Sequence, residues 1–153
     1  MNWYLIITML FAATGLALEE DSLETPASDT LSLAESIIAQ AETYLGVPYV
    51  FGGTNESGFD CSGLTYRVFA DHGLELPRTV SAIESIGEPV SREELQPGDL
   101  LIFHNPKHTG IYIGDGLFIH SSSWQNRGVV ITELAQTNYA RRYHSARRII
   151  PAR

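Results

Sequence analysis

Apolar residues in the first part of the chain recur with the 3.6-residue period of an α-helix. One stripe on such a helix is formed by Leu33, Ile37, Ile38, Ala41 and Leu45. Ser32 precedes this stripe, and Glu35 follows Ser32 by three residues, which is the spacing of the capping box that marks the start of a helix. Gly46 follows the stripe, and glycine readily adopts the left-handed conformation that ends helices. The pattern predicts a first helix between Ser32 and Gly46.

A second apolar stripe follows a candidate helix cap at Asp60. The stripe is formed by Leu64, Val68 and Phe69. Gly73 stands where such a helix would stop. These positions predict a second helix over residues 61–72.

The second half of the chain changes to short apolar segments separated by turn residues, which is typical of β-strands. Pro97 and Gly98 mark a turn at the start of this region. Strands are predicted after it over 99–103, 109–114, 117–121, 129–133 and 145–150. Helices followed by an antiparallel sheet are typical of the α+β class. We therefore expect N-terminal helices packed on a central antiparallel β-sheet.

The turn at residues 114–116 sets the register of the central predicted hairpin. A two-residue loop would place His108 and His120 on opposite faces and would break the apolar pattern. A three-residue loop with a G1 bulge pairs Ile113 with Leu117, Ile111 with Ile119 and Gly110 with His120. This register puts the two histidines on one face as diagonal neighbours, about 7–8 Å apart between Cα atoms. We therefore predict the three-residue loop and two imidazole rings within hydrogen-bonding reach.

Composition restricts the classes of protein to which the chain can belong. Of its 153 residues, 44% are apolar and 18% are charged, which excludes a disordered chain. A single cysteine excludes a disulfide scaffold and a multi-cysteine zinc site. The formal net charge of −8 is opposite to the basic surface that duplex nucleic acid requires, so nucleic acid is not an expected partner.

The N-terminal segment predicts export from the cell. Residues 3–17 carry no charged side chain and end in small residues, so residues 1–17 are predicted to be a cleaved signal peptide. The run is shorter than a membrane-spanning helix, and membrane contact is expected only if it stays uncleaved. Residues 18–31 are acidic and are predicted to be a linker, which leaves 32–153 as the folded domain. We expect a monomer in the periplasm or at the cell wall outside the cell.

Cys61 is the residue whose surroundings indicate chemistry. It would lie in the first turn of the second helix, where backbone N–H groups and the helix dipole lower the pKa of a thiol. The same N–H groups can stabilise an acyl oxyanion. The predicted hairpin offers His108 as a base and His120 as the residue that orients it. Structural roles are expected for the remaining histidines, which are His72, His104 and His144.

The motifs around these residues resemble one known family, the NlpC-type, papain-like cysteine peptidases of bacterial cell walls. The shared motifs are GVPYVFGG (46–53), GFDCSG (58–63), LPRT (76–79), LQPGDLLIF (95–103) and HTGIYIGDGLFIH (108–120). They occur in the family's order and spacing. The resemblance implies a papain-like fold and hydrolysis of peptide bonds in peptidoglycan stem peptides or cross-links, with no cofactor.

By matching positions, the resemblance also implies a Cys-His-His triad. Cys61 would be the nucleophile, His108 the general base and acid, and His120 the orienting residue. Members of the family cut either the γ-D-glutamyl–diaminopimelate bond or the D-alanyl–diaminopimelate cross-link. The sequence leaves this choice open.

Four further residues are candidates for binding the substrate. Tyr49 matches a tyrosine whose hydroxyl lies near the thiol in relatives, although an aromatic core residue is an equal alternative. Asp60 and Ser62 match positions that help to bind the amino end of the peptide in some members. Arg78 either lines the substrate groove or forms a salt bridge at the surface.

Two other functions compete with the peptidase. A metal hydrolase would use His104, His108 and His120, but the first two are separated by an Asn-Pro loop rather than by a helical turn. A non-catalytic peptidoglycan-binding module would keep the fold without the reaction. Competent residues at all three triad positions favour the enzyme.

Overall fold

The computed structural model describes residues 32–151. The predicted signal peptide (1–17), the predicted linker (18–31) and residues 152–153 lie outside them. In chain order the elements are α1 (Leu33–Thr43), β1 (Thr54–Asn55), β2 (Gly58–Phe59), α2 (Cys61–Ala70), α3 (Val80–Ile83), β3 (Glu88–Val90), β4 (Leu100–Phe103), β5 (His108–Gly114), β6 (Leu117–Ser122), β7 (Gly128–Glu133), α4 (Thr137–Arg142) and β8 (Tyr143–Arg148). Within residues 32–151, no helix is long and apolar enough to cross a membrane.

The first helix begins as predicted. The hydroxyl of Ser32 accepts a hydrogen bond from the backbone N–H of Glu35 at 3.2 Å, and the Glu35 carboxylate accepts one from the backbone N–H of Ser32 at 2.7 Å. This reciprocal pair confirms the capping box. Ile37 and Ala41 are fully buried, so the apolar stripe faces the core. Leu45 lies beyond the end of the helix and is exposed.

A six-stranded antiparallel sheet follows the helices, in the order β3-β8-β4-β5-β6-β7. All five predicted strands are present, and the α+β class is confirmed. The largest difference is in β8, which begins and ends two residues before the predicted segment 145–150. The short elements β3, α3 and α4 were missed because three to six residues are too few to show a hydrophobic period.

The two faces of the sheet pack against different layers. On one face, sheet residues join the inner sides of α1 and α2 in a cluster that includes Ile37, Ala41, Leu64, Val68, Leu100, Ile102, Ile111 and Ile119. On the other face, a second cluster is formed by Leu101, Phe103, Phe118, Leu134, Tyr139 and Ala146. The hydroxyl of Ser121 in β6 donates a 2.7 Å hydrogen bond to the carbonyl of Phe59. The sheet thereby holds the segment that leads into α2.

The turn between β5 and β6 differs from the prediction. Gly114, rather than Ile113, pairs with Leu117. The loop therefore has two residues, Asp115 and Gly116, whose φ angles of 53° and 73° are those of a type I′ turn. The predicted three-residue loop is wrong, because the favoured two-residue turn forms and displaces the extra residue into the strand.

The predicted pairing of Ile111 with Ile119 is nevertheless confirmed, whereas that of Ile113 with Leu117 is wrong. Ile111 pairs with Ile119, and the register shifts between Tyr112 and Gly114. A bulged residue in a strand changes the register of the following residues as an extra loop residue would. Ile111, Ile113 and Ile119 consequently pack in the cluster that includes α1 and α2, as the apolar pattern required.

Candidate active site

Cys61 is the first residue of α2, and contacts around the preceding cap fix its position. The carboxylate of Asp60 accepts a 2.6 Å hydrogen bond from the backbone N–H of Gly63, which confirms the predicted cap. The backbone N–H of Asp60 donates to the carbonyl of Gly53 at 3.1 Å. A Cβ atom on Gly63 would overlap that same carbonyl oxygen. Glycine at this position therefore lets the helix start against the preceding turn.

The two candidate histidines of the sheet contact each other directly. Nε2 of His108 lies 2.8 Å from Nδ1 of His120, and the two rings are nearly perpendicular at 86°. The predicted proximity of the rings is confirmed. Nε2 of His120 lies 2.9 Å from the hydroxyl of Thr132. The three side chains form one chain of hydrogen bonds across β5, β6 and β7.

Sequence reasoning missed Thr132. In the sheet, Thr132 pairs with Phe118, which makes it a diagonal neighbour of His120 on the adjacent strand. The contact could be predicted only if the register of β6 against β7 were known. A short turn of defined length would set that register, but no such turn joins these two strands. A 3₁₀ turn at Trp124–Asn126 lies between them instead.

Aromatic side chains enclose His120. Its ring stacks on Phe118 with centroids 4.5 Å apart, and Tyr139 of α4 approaches edge-on at 5.1 Å. His120 is fully buried, whereas His108 is partly exposed. A fully buried, clamped ring is suited to hold another ring in place.

Residues of α2 and of the sheet line one cavity of about 470 Å³. Cys61 and His108 both line it, and Tyr49 lines it as well. Trp124 and Asn138 form other parts of its wall, and the sequence analysis identified neither of them. The two predicted reactive groups therefore share one cavity that is open to solvent.

The expected lowering of the Cys61 pKa is wrong for the protein without substrate. Burial raises the pKa of the thiol, and the nearby Asp60 carboxylate raises it further. Backbone N–H groups of Thr109, Ser62 and Cys61 itself oppose this rise. The helix terminus does favour the thiolate, but removal of the thiol from water outweighs that effect.

The two imidazoles of the candidate site are held neutral. Burial, with a smaller contribution from the positive charge of Arg142, lowers the pKa of His108 to about 3. Burial also places the pKa of His120 well below its ordinary value, with smaller effects from His108 and Arg142. These surroundings therefore favour a neutral thiol and a neutral imidazole in the shared cavity.

Arg142 also supports the segment that leads to His108. Its guanidinium donates to the carbonyl of Pro106 at 2.7 Å and to the carbonyl of His104 at 3.2 Å. Arg142 lines the same cavity as His108. Sequence reasoning missed this contact because it joins residues 36 and 38 positions apart.

Three of the four candidate substrate-binding residues form one network. The guanidinium of Arg78 donates to both carboxylate oxygens of Asp60, at 3.0 and 2.8 Å, and to the hydroxyl of Ser62 at 2.8 Å. Asp60 also accepts from the backbone N–H of Gly52 at 2.9 Å. Asp60 and Ser62 are 8% and 6% exposed, so their polar atoms are largely engaged within the protein.

Tyr49, the fourth candidate, lies beside the thiol and is not a core residue. It is partly exposed and lines the cavity with Cys61. Burial raises the pKa of its hydroxyl, and the neighbouring Cys61 and Asp60 add to this rise. The alternative of an aromatic core residue is wrong.

The proposed metal-binding set of His104, His108 and His120 is wrong. Nε2 of His104 lies 2.9 Å from a carboxylate oxygen of Glu84, while His108 contacts His120. His104 follows the end of β4 and His108 begins β5, so the two histidines stand on opposite sides of the turn between these strands and contact different partners. In the part of the chain that the structure describes, the one group with metal-ligand spacing contains neither His108 nor His120.

Comparison with known proteins identifies the family. The sequence model of the NlpC/P60 family matches residues 46–148, which include Cys61, His108 and His120. The chain belongs to the NlpC/P60 family. The structure of an NlpC/P60 family protein from Bacillus cereus aligns with 77% of this chain and 40% of its own, with a TM-score of 0.74 and 39% identity. This similarity confirms the predicted papain-like, α+β fold.

Two NlpC/P60 relatives differ in the bonds named for them. The chain is 37% identical over 138 residues to a γ-D-glutamyl-L-lysine dipeptidyl-peptidase from Bacillus cereus, and the match covers 86% of this chain and 39% of that protein. It is 39% identical over 118 residues to the murein DD-endopeptidase MepS/murein LD-carboxypeptidase of Escherichia coli, with 74% and 62% covered. The chain thus spans 39% and 62% of the length of these two relatives.

Proposed function

We propose that this NlpC/P60 protein is an exported cysteine peptidase that hydrolyses peptide bonds in peptidoglycan stem peptides or cross-links. The observation that carries the proposal is the shared cavity of Cys61 and His108, with His108 held on one ring nitrogen by His120. The names of the two relatives described above support the same substrate class. Its expected location is the periplasm or the cell wall outside the cell.

The reaction begins with proton transfer from the thiol. Because Nε2 of His108 is engaged by His120, Nδ1 is the nitrogen available to Cys61. As Nδ1 takes the proton, the sulfur attacks the peptide carbonyl and an S–C bond forms. The backbone N–H of Cys61 stabilises the oxyanion.

The protonated His108 then supplies the leaving amine with its proton, the C–N bond breaks, and a thioester acyl-enzyme remains. His108, neutral again, takes a proton from water, and the resulting hydroxide attacks the thioester. The S–C bond breaks, His108 returns its proton to the sulfur, and the carboxylic acid leaves. The imidazolium exists only between these steps, which suits a site that disfavours its charge.

We further propose that Tyr49, Asp60, Ser62 and Arg78 contribute to the substrate site. Tyr49 has direct access to the cavity. Asp60 and Ser62 would reach the amino end of a peptide by exchanging part of their contact with Arg78. The bond that is cut, γ-D-glutamyl–diaminopimelate or D-alanyl–diaminopimelate, is the finer part of the proposal.

Digestion of purified peptidoglycan tests the reaction. The protein and its Cys61→Ala variant are incubated with the polymer, and released fragments are identified by mass spectrometry. We expect fragments from the parent, none from Cys61→Ala, and a small residual amount from His120→Ala because an unheld base still removes protons. His72→Ala, at the far end of α2, is the matched control and should act like the parent.

Three results would contradict the proposal. Equal product from Cys61→Ala would exclude the thiol as nucleophile. Binding of peptidoglycan by the parent without release of any fragment would identify a non-catalytic binding module. Activity that a chelator abolishes and iodoacetamide leaves intact would instead indicate a metal hydrolase.

A further inference from the structure

A second cluster of titratable side chains, Glu84, His104 and His144, lies apart from the candidate active site. His104 stands at the start of the segment 104–107, which leads into His108. Glu84 follows α3, His104 follows β4, and His144 belongs to β8. Nε2 of His104 and Nε2 of His144 lie 2.9 and 3.0 Å from the same oxygen, Oε1 of Glu84. The two rings stack with centroids 3.7 Å apart and 12° between their planes. Three segments of the chain therefore bring two ring nitrogens and one carboxylate oxygen close together.

We propose that Glu84, His104 and His144 bind one Zn²⁺ ion, with water as the fourth ligand. Two imidazoles and one carboxylate form a donor set that zinc uses when it keeps one open position. The three donor atoms lie within 4.8 Å of one another. Tetrahedral zinc with bonds of about 2.0–2.1 Å places its ligand atoms about 3.3 Å apart. Because the two rings are stacked, they must turn until both Nε2 lone pairs point at the ion, and the 48% exposure of the His144 side chain leaves its ring room to do so.

The hydrogen bonds of the cluster are compatible with this exchange. A carboxylate oxygen only accepts, so His104 donates its Nε2–H group to Oε1 of Glu84 when no ion is present, while Nε2 of His144 lies 3.0 Å from the same oxygen as an ion-pair contact. When zinc binds, the ring hydrogens move to Nδ1 and both Nε2 lone pairs turn to the ion. The ion then takes the place of the hydrogen that His104 donates to Glu84.

The cluster is accessible from solvent. The side chain of His144 is 48% exposed and that of Glu84 is 19% exposed. A cavity of about 230 Å³ is lined by His104 and His144. An ion and its water ligand can therefore enter without unfolding of the surrounding strands.

Nearby cations oppose the ion and limit its affinity. Nζ of Lys107 lies 2.9 Å from the second carboxylate oxygen of Glu84. Arg141 and Arg142 line the same cavity as the two histidines. Since Lys107 competes directly for the carboxylate, its removal should strengthen zinc binding. An increase in affinity on loss of a surface lysine distinguishes this site from adventitious binding to exposed histidines.

Isothermal titration with ZnCl₂ tests the proposal on untagged protein that carries Cys61→Ser, so that the active-site thiol does not compete. We expect one ion per chain. His144→Ala should weaken binding at least about tenfold, in line with the loss of metal-site partners. Lys107→Met should strengthen it. His72→Ala is the matched control and should bind like the parent.

Co²⁺ absorption gives a second measurement, because tetrahedral coordination produces intense visible bands that hydrated Co²⁺ lacks. These bands should be present in the parent and absent in His144→Ala. The proposal is overturned if the parent binds no zinc at millimolar concentration, or if His144→Ala binds as tightly as the parent. It is also overturned if His108→Ala abolishes binding, because the ion would then belong to the catalytic histidines.

Discussion

A hydrogen bond at one ring nitrogen decides how His108 can act in the proposed reaction. For Nδ1 to accept a proton from Cys61, Nε2 must carry the hydrogen and donate it to Nδ1 of His120. His120 then carries its own hydrogen on Nε2 and donates it to the hydroxyl of Thr132. Thr132, at the end of this chain, thereby accepts the hydrogen that the proposed reaction requires His120 to donate.

Replacement of Thr132 tests this role. Thr132→Val keeps the shape of the side chain but removes the acceptor for His120. We expect kcat to fall about tenfold with KM unchanged, because the base is less well oriented while substrate contacts persist. Steady-state kinetics on a soluble stem peptide measures both constants. Thr132→Ser should restore kcat, and equal kcat for the valine variant and the parent would exclude the role.

The buried imidazole of His108 also predicts acid sensitivity of the fold. Its pKa is about 3 in the folded protein and about 6.5 when exposed, so the unfolded state binds the proton more tightly. Stability is therefore complete above pH 6.5 and falls as the pH decreases toward 3. At pH 5 the loss is at most about 2 kcal/mol, since a partly exposed edge of the ring lessens it.

Urea unfolding of the parent and of His108→Gln, each at pH 7 and pH 5, measures this loss. The variant should lose less stability than the parent between the two pH values, because glutamine does not titrate. His72→Gln controls for removal of a histidine elsewhere. An unchanged difference between pH 7 and pH 5 in His108→Gln would show that His108 is not the titrating group.

At the scale of elements, α2 approaches the turn before it more closely than a side chain permits. A Cβ on Gly63 would meet the carbonyl oxygen of Gly53 and a carboxylate oxygen of Asp60. Cys61 lies two residues before Gly63 on the same helical turn. Any displacement of this helix terminus therefore moves the sulfur away from its place in the cavity.

Gly63→Ala should lower both stability and activity. We expect a loss of about 1–3 kcal/mol from overpacking, together with reduced kcat from the displaced thiol. Gly73→Ala is the comparison, because Gly73 ends α2 in open space at φ +79°. It should lower stability through its backbone conformation and leave kcat unchanged. Parental kcat in Gly63→Ala, measured on the folded fraction, would contradict the close-packing argument.

At the scale of the whole molecule, an ion pair with a buried carboxylate joins segments that are 49 residues apart in the chain. Asp99 precedes β4 and has a side chain only 2% exposed, and Arg148 ends β8. The guanidinium of Arg148 donates to both carboxylate oxygens at 2.8 Å. The backbone N–H of Gln96 donates to the same carboxylate at 2.8 Å.

Loss of Arg148 should destabilise the protein strongly. Arg148→Met leaves the Asp99 carboxylate buried without its cation, which costs about 3 kcal/mol. The double variant Asp99→Asn, Arg148→Met should recover part of this loss. Urea unfolding measures both. Arg67→Met is the matched control, because its partner carboxylates are exposed, and it should cost no more than about 1 kcal/mol. Equal effects of Arg148→Met and Arg67→Met would contradict the argument.

The catalytic candidates could be identified from sequence because their local signals are strong. A capping aspartate marks the helix that begins at Cys61. The alternation of apolar residues in the hairpin puts His108 and His120 on the same face, and this held even though the turn was assigned incorrectly. Thr132 and Arg142 carry no comparable local signal, since each acts through a contact between distant positions.

The sequence by itself determined where the main helices and strands form, which of their faces are buried, and which cysteine and histidines are candidates for chemistry. Those features depend on neighbours two to four residues away, so a single chain displays them. Only the tertiary structure decided the pKa values of Cys61 and His108, because burial by residues distant in the chain sets the free energy of charging each group. It also decided that Glu84, His104 and His144 meet, since each comes from a different element.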